Sequence, residues 1–140
     1  MPESVHKVFV DTNVLAYRMD KGEPDKRRTA RARMDEAHTF IVSTQVLLEL
    51  YSVLTRKFEP TLTPAQARAV LDEVVTLPVV PADADLVMRA TLTAQGHQLS
   101  IWDAMIVEAA AEAGCDEVWS EDLAAGAELR GVRVVNPFAS

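Results

Sequence analysis

Short apolar runs alternate with longer helix-patterned stretches along the whole chain, and this alternation restricts the possible folds more than any other feature of the sequence. His6–Val10 reads as a strand ending at Asp11. Thr12–Asp20 follows as a helix with Val14, Leu15 and Tyr17 apolar, closed by Gly22 and Pro24. Pro24–Ala37 reads as a second, basic helix and Thr39–Val42 as a strand. Ser43 or Thr44 caps a long helix to about Phe58, with Val46, Leu47, Leu50, Val53 and Leu54 on its inner stripe. Thr63 followed by Pro64 opens a helix to about Val75. Leu77–Val80 is a third strand. Asp83 caps a helix that stops at Gly96, and Ser100 caps Ile101–Ala113, which stops at Gly114. Glu117–Trp119 is a fourth strand, Glu121–Ala125 a short helical turn, and Val132–Val135 a last strand. Helical crossovers between such strands imply an α/β fold, a mostly parallel sheet with helices on both faces.

Residues 1–140 fit one domain, and 49% hydrophobic with 25% charged residues predicts a packed core rather than disorder. The single cysteine, Cys115, permits no disulfide within the chain and points to a reducing, cytoplasmic setting. The longest stretches without Asp, Glu, Lys or Arg are Ala37–Leu48 and Thr91–Trp102, each 12 residues. A membrane-spanning helix needs about 20 apolar residues, so no membrane association is expected. Met1–Lys7 carries Glu3, His6 and Lys7 and does not read as a signal peptide. The net charge of −7 argues against a general nucleic-acid coat protein. Basic residues are nonetheless concentrated: Lys21, Lys26, Arg27, Arg28, Arg31 and Arg33 share one short window with Glu23 and Asp25. That window reads either as a phosphate-attracting patch or as a solvated helix face.

Four acids stand where chemistry is expected. In open α/β sheets, ligands bind beyond the carboxyl ends of the strands, near the switch in strand order. Asp11 follows the first strand and Asp122 the fourth. Asp103 lies in the first turn of its helix, three residues after Ser100. Glu49 borders the apolar stripe of the third helix. Its neighbours at three and four positions are Gln45, Val46, Ser52 and Val53, so no Lys or Arg is placed to pair with it. Each aspartate also has a purely structural reading. Asp11 and Asp122 are able to cap the turns that follow them, and Asp103 to satisfy a helix dipole. Glu49 is harder to explain that way, because a half-buried carboxylate needs a cation, whether a metal ion or a distant arginine. Together the four suit Mg²⁺ or Mn²⁺, hard cations that prefer oxygen ligands, in phosphodiester hydrolysis. His6, His38 and His97 lack metal-ligand spacing, Cys115 has no neighbouring base, and no Gly-rich phosphate loop occurs.

The sequence resembles the PIN-domain family, and within it the VapC-like toxins of bacterial toxin–antitoxin modules. The similar segments are Val8-Phe9-Val10-Asp11-Thr12-Asn13-Val14-Leu15, Leu48-Glu49-Leu50, Leu99-Ser100-Ile101-Trp102-Asp103-Ala104 and Trp119-Ser120-Glu121-Asp122-Leu123. Val135-Asn136-Pro137-Phe138 is similar to the close of many such toxins. The resemblance implies that Asp11, Glu49, Asp103 and Asp122 are both the catalytic and the metal-binding acids. It gives Thr12, Asn13 and Ser120 supporting parts and Glu121 that of an auxiliary acid. It further implies a five-stranded parallel sheet, endoribonuclease activity with Mg²⁺ or Mn²⁺, a homodimer, and inhibition by a small antitoxin. A haloacid-dehalogenase-like phosphatase would need a second aspartate where Asn13 stands. A receiver-like domain would need a lysine after the last strand, and none occurs after Lys57. A catalytically silent PIN-like binding module is the non-enzymatic alternative.

Overall fold

The computed structural model describes residues 6–139. Its elements run β1 (Lys7–Val10), α1 (Thr12–Tyr17), α2 (Pro24–Met34), β2 (Thr39–Ser43), α3 (Thr44–Arg56), α4 (Pro64–Val74), β3 (Val79–Val80), α5 (Ala84–His97), α6 (Ile101–Glu112), β4 (Glu117–Trp119), β5 (Glu128–Leu129) and β6 (Val132–Val135). The caps follow from local chemistry. The Ser43 hydroxyl accepts from Val46 N (3.3 Å), Asp83 from Leu86 N (2.9 Å) and Ser100 from Asp103 N (3.0 Å). Thr63 and Gln66 bond each other's backbone reciprocally at the start of α4. Each pairing satisfies a helix N–H that has no partner inside its own helix.

The strand order is β3-β2-β1-β4-β6-β5. The five strands from β3 to β6 are parallel, with Phe9 opposite Ile41 on one side and Val118 on the other, and Trp119 opposite Val135. Buried Val8, Phe9, Val10, Val42, Val118 and Trp119 build the sheet's share of the core, and Leu15, Leu50, Leu54 and Leu86 cover it from the helices. No helix among the described residues is long and apolar enough to cross a membrane.

Several elements end earlier or begin later than the sequence implies, α1 closing at Tyr17, α2 at Met34 and β3 opening at Val79, and the structure departs further at three places. The expected five-stranded sheet has a sixth strand, the two-residue β5, antiparallel to β6. Arg130 (φ 54°) and Gly131 (φ 79°) join the two, the paired positive φ values that a tight hairpin turn demands. Arg–Gly is not the usual signal for such a turn. Second, Glu121–Ala125 forms no helix. The N–H groups of Asp122 and Leu123 turn instead to the Ser120 hydroxyl, and Gly126 N bonds Val134 O, laying the segment along β6. Third, α5 runs through Gly96 to His97, and Gln98 takes the left-handed position (φ 55°).

Arg130 holds its strained backbone because its side chain is anchored. Its Nε donates to the buried Glu108 carboxylate at 2.9 Å, which also accepts from the Thr93 hydroxyl at 2.7 Å and pairs with Arg89 Nε at 3.7 Å. Glu108 is 2% exposed, so its charge depends on those partners. Replacing both arginines (Arg89→Met with Arg130→Met) is expected to lower the unfolding free energy by about 3 kcal/mol. Adding Glu108→Gln to that protein should recover much of the loss. Urea titration of the three proteins checks this, and equal stability of wild type and double variant would refute it.

Candidate active site

The switch in strand order falls between β1 and β4, whose carboxyl ends lie side by side: Asp11 N donates to Trp119 O at 3.0 Å. Asp11 follows β1 and caps α1, its Oδ1 accepting from Thr12 N at 2.7 Å. Its Oδ2 accepts from the Ser120 hydroxyl at 2.8 Å. The residue is 6% exposed. Burial pushes its carboxyl up to about 6, against the lowering effect of the Ser120 and Thr12 hydrogen bonds and with help from the charges of Glu49 and Asp122. The capping and site readings of Asp11 are therefore compatible. One oxygen serves α1, and the whole group sits among other acids.

Glu49 reaches this point from α3. Its Oε1 accepts from Gln45 Nε2 at 2.6 Å, and its Oε2 is 3.4 Å from the Thr12 hydroxyl. No lysine or arginine among the described residues forms an ion pair with Glu49. Asp122, exposed on the loop after β4, accepts from Asn13 Nδ2 at 3.0 Å, and its backbone N–H donates to Ser120 Oγ at 3.1 Å. The charges of Glu49 and Asp122 thus both reach Asp11, and Thr12, Asn13 and Ser120 hydrogen-bond the three acids.

Asp103 is placed by the first turn of α6. Its backbone N–H completes the Ser100 cap of α6. Its carboxylate makes no hydrogen bond or ion pair among the described residues. Gln45 links α6 to Glu49: it bonds that carboxylate and also donates to Trp102 O at 3.3 Å, next to Asp103 in sequence. Among the described residues, no group of three or more His, Cys, Asp or Glu side chains is arranged to hold a metal ion. The donor chemistry nevertheless fits a hard divalent cation. Every candidate ligand is a carboxylate oxygen, and Asp11 and Glu49 have no cationic partner. Such ions are commonly held by one or two carboxylates plus water, so a closed cage is not required.

Two features escape the sequence reading. Gln45 is visible only as the residue four before Glu49, and nothing in the pattern marks it as the bridge to α6. Glu121, expected as an auxiliary acid, has both oxygens engaged. Oε1 accepts from the Tyr17 hydroxyl at 2.8 Å and Oε2 from Lys26 Nζ at 2.5 Å. The three histidines lie elsewhere: His6 and His38 meet at a tilt, ring centroids 5.5 Å apart, near the starts of β1 and β2, and His97 ends α5.

Solved structures with the same fold include VapC20 of Mycobacterium tuberculosis, a sarcin–ricin loop cleaving toxin. It is 21% identical with a TM-score of 0.66, over 82% of this chain and 89% of that one. A toxin–antitoxin complex from Klebsiella pneumoniae is 19% identical with a TM-score of 0.69, over 94% and 98%. The DNA-bound VapBC of Salmonella typhimurium is 22% identical with a TM-score of 0.61, over 93% and 97%. No curated protein matches the sequence. The family model for the PIN domain matches residues 8–125, which take in all of β1 but Lys7, all six helices, β4 and each of the four acids; the chain belongs to the PIN-domain family.

Proposed function

We propose that this protein is a metal-dependent endoribonuclease that hydrolyses RNA phosphodiester bonds, acting in the cytoplasm as the toxin of a toxin–antitoxin pair. The observation that carries the reading is the convergence of Asp11, Glu49 and Asp122 at the switch point, with no protein cation among the described residues to neutralise them. The family membership and the toxins of like fold support it. Mg²⁺ or Mn²⁺ would be held by Asp11, Glu49 and Asp122, with Asp103 completing the set from α6. When bound, such an ion supplies an activated water and neutralises charge on the phosphate. The remaining work falls to the chain. Ser120 and Thr12 fix the two oxygens of Asp11, Gln45 orients Glu49, and Asn13 holds Asp122. Asp11 must give up its proton before it can serve as a ligand, so loading should improve as pH rises through 6.

Part of the basic window on α2 is already engaged. Lys26 pairs with Glu121, and Arg33 Nε lies 2.8 Å from Glu36 with its guanidinium 4.5 Å over the Trp119 ring. Arg28 and Arg31 are exposed; Arg28 has only a solvent-facing partner, Asp25, and surface pairs of that kind hold weakly, while Arg31 donates its Nε to Arg18 O at 2.9 Å and pairs with no acid among the described residues. These two are the better phosphate contacts. Exposed Leu48, Met88, Leu92 and Trp102 on α3, α5 and α6 suit burial against a second copy, in keeping with a homodimer. An antitoxin arginine or lysine placed between Asp11 and Glu49 would supply the missing cation and silence the site.

Asp11→Asn, Glu49→Gln and Asp122→Asn are each expected to lower cleavage at least 100-fold, as is EDTA. No imidazole among the described residues borders the site to accept a 2′-hydroxyl proton, so the products should carry 5′-phosphate and 3′-hydroxyl ends. Cyclic 2′,3′-phosphate products, or full activity in EDTA, would overturn the reading.

The metal-free protein should carry Asp11's raised pKa as a pH-dependent stability. Folding favours the protonated form, so that contribution is complete below about 3.8 and disappears as pH rises through about 6. The span corresponds to about 3 kcal/mol. Denaturant titrations in EDTA at pH 4 to 7 should show the wild type losing about that much relative to Asp11→Asn, with little further change above pH 7. A difference that is flat over this range would remove Asp11 as the buried acid.

Neutralising Arg28 and Arg31 together should reduce the slope of log affinity against log salt by about 1.4 units for single-stranded RNA. Binding of an RNA blocked at its scissile site, titrated at several salt concentrations, measures this. An unchanged slope would return α2 to the status of a solvated face.

A further inference from the structure

We propose that Tyr17, Lys26 and Glu121 form a positioning clamp, which joins the loop bearing Asp122 to the basic helix α2 and so sets that acid's place in the site. The proposal rests on the ribonuclease reading for its kinetic consequences, but its geometry is independent of it. The loop is gripped on three sides. Ser120 ties its start to Asp11, and Asn13 Nδ2 holds the Asp122 carboxylate. Between them Glu121 turns the other way, to Tyr17 Oη at 2.8 Å and Lys26 Nζ at 2.5 Å. Lys26 Nζ is also 3.3 Å from Tyr17 Oη, so the three polar ends form a closed triangle.

The surroundings make the triangle rigid. Tyr17 meets Phe138 edge to face, with ring centroids 5.0 Å apart, and Lys26 Nζ lies 4.8 Å and 5.8 Å from the two centroids. Phe138 N bonds the Asn136 side chain at 2.9 Å, and Pro137 is buried. The 136–138 segment that follows β6 therefore supplies the apolar floor of the clamp. Glu121 and Lys26 are mostly covered, with side chains 24% and 35% exposed, so water screens their pairing less than it would a surface pair. With both carboxylate oxygens taken, Glu121 acts through Asp122 and is not itself a ligand. Lys26 serves by cancelling the Glu121 charge next to Asp122, and is thereby unavailable to RNA.

Charge exchange separates this from the alternatives. Glu121→Lys alone sets two ammonium groups against each other, and Lys26→Glu alone sets two carboxylates. Each single reversal should lower kcat more than tenfold and weaken Mn²⁺ binding to the RNA-free protein by a similar factor. The doubly exchanged protein, Lys26→Glu with Glu121→Lys, should regain kcat and Mn²⁺ affinity to within about threefold of wild type. Tyr17→Phe keeps the ring contact and loses one hydrogen bond, so it should reduce kcat severalfold with KM unchanged. A double exchange no better than Glu121→Lys, in a protein whose melting temperature matches the wild type, would overturn the proposal and make Glu121 a ligand. A single Lys26→Glu that raises KM alone would overturn it in favour of a direct phosphate contact. If the wild type cleaves no RNA while the Mn²⁺ pattern appears as described, the ribonuclease reading fails and the clamp stands.

Discussion

One hydroxyl group holds the site together. Ser120 Oγ donates its proton to Asp11 Oδ2 and accepts from the backbone N–H groups of Asp122 and Leu123. Its donor and acceptor capacity is therefore spent on joining the ends of β1 and β4 and shaping the loop after β4. Burying a carboxylate is unfavourable unless hydrogen bonds compensate, and Ser120 together with Thr12 N provides that compensation. Burial still dominates the pKa of Asp11. The fold thus keeps a poorly solvated acid at its centre, which a protein selected for stability alone would replace.

That arrangement requires a stiff platform. β1 lies between β2 and β4, flanked by buried Ile41 and Val118, and Trp119 is wholly buried where β4 ends. Aromatic packing continues outward from Trp119 to Phe40 and His38, with the Arg33 guanidinium over the indole ring. The position of Ser120, the next residue, is consequently fixed by the core rather than by the loop it opens. Helix α3 does the same for Glu49: Val46, Leu50 and Leu54 are fully buried, and Glu49 is carried on the edge of that stripe.

Much of this is legible in the sequence where the governing interactions are local. The caps at Ser43, Thr63, Asp83 and Ser100 bond N–H groups three residues away, and the strands carry their apolar runs. Asp11 and Asp122 are legible because position after a parallel strand is a topological property. What is not legible joins distant parts of the chain. Glu121 looks like one more acid until Lys26, 95 residues away, is seen against it. Gln45 becomes meaningful only when Trp102 O appears beside it. The Glu121–Ala125 segment looks helical by composition, but Ser120 and β6 claim its N–H groups first. That the Asp103 carboxylate has no hydrogen-bond or ion-pair partner among the described residues is likewise invisible in a motif, which records order and not contacts.

The hairpin between β5 and β6 carries an implication for sequence change over time. Arg130 occupies a left-handed conformation that glycine or asparagine would adopt with less strain, and it is retained by its bond to Glu108. While Glu108 is present, losing the arginine leaves its buried charge only Arg89, at 3.7 Å, and the Thr93 hydroxyl. Were position 108 apolar, the same arginine would be only a strained residue and its replacement by glycine an improvement. The sign of a substitution at 130 thus depends on the residue at 108, 22 positions earlier, and changes at the two sites are expected to be coupled.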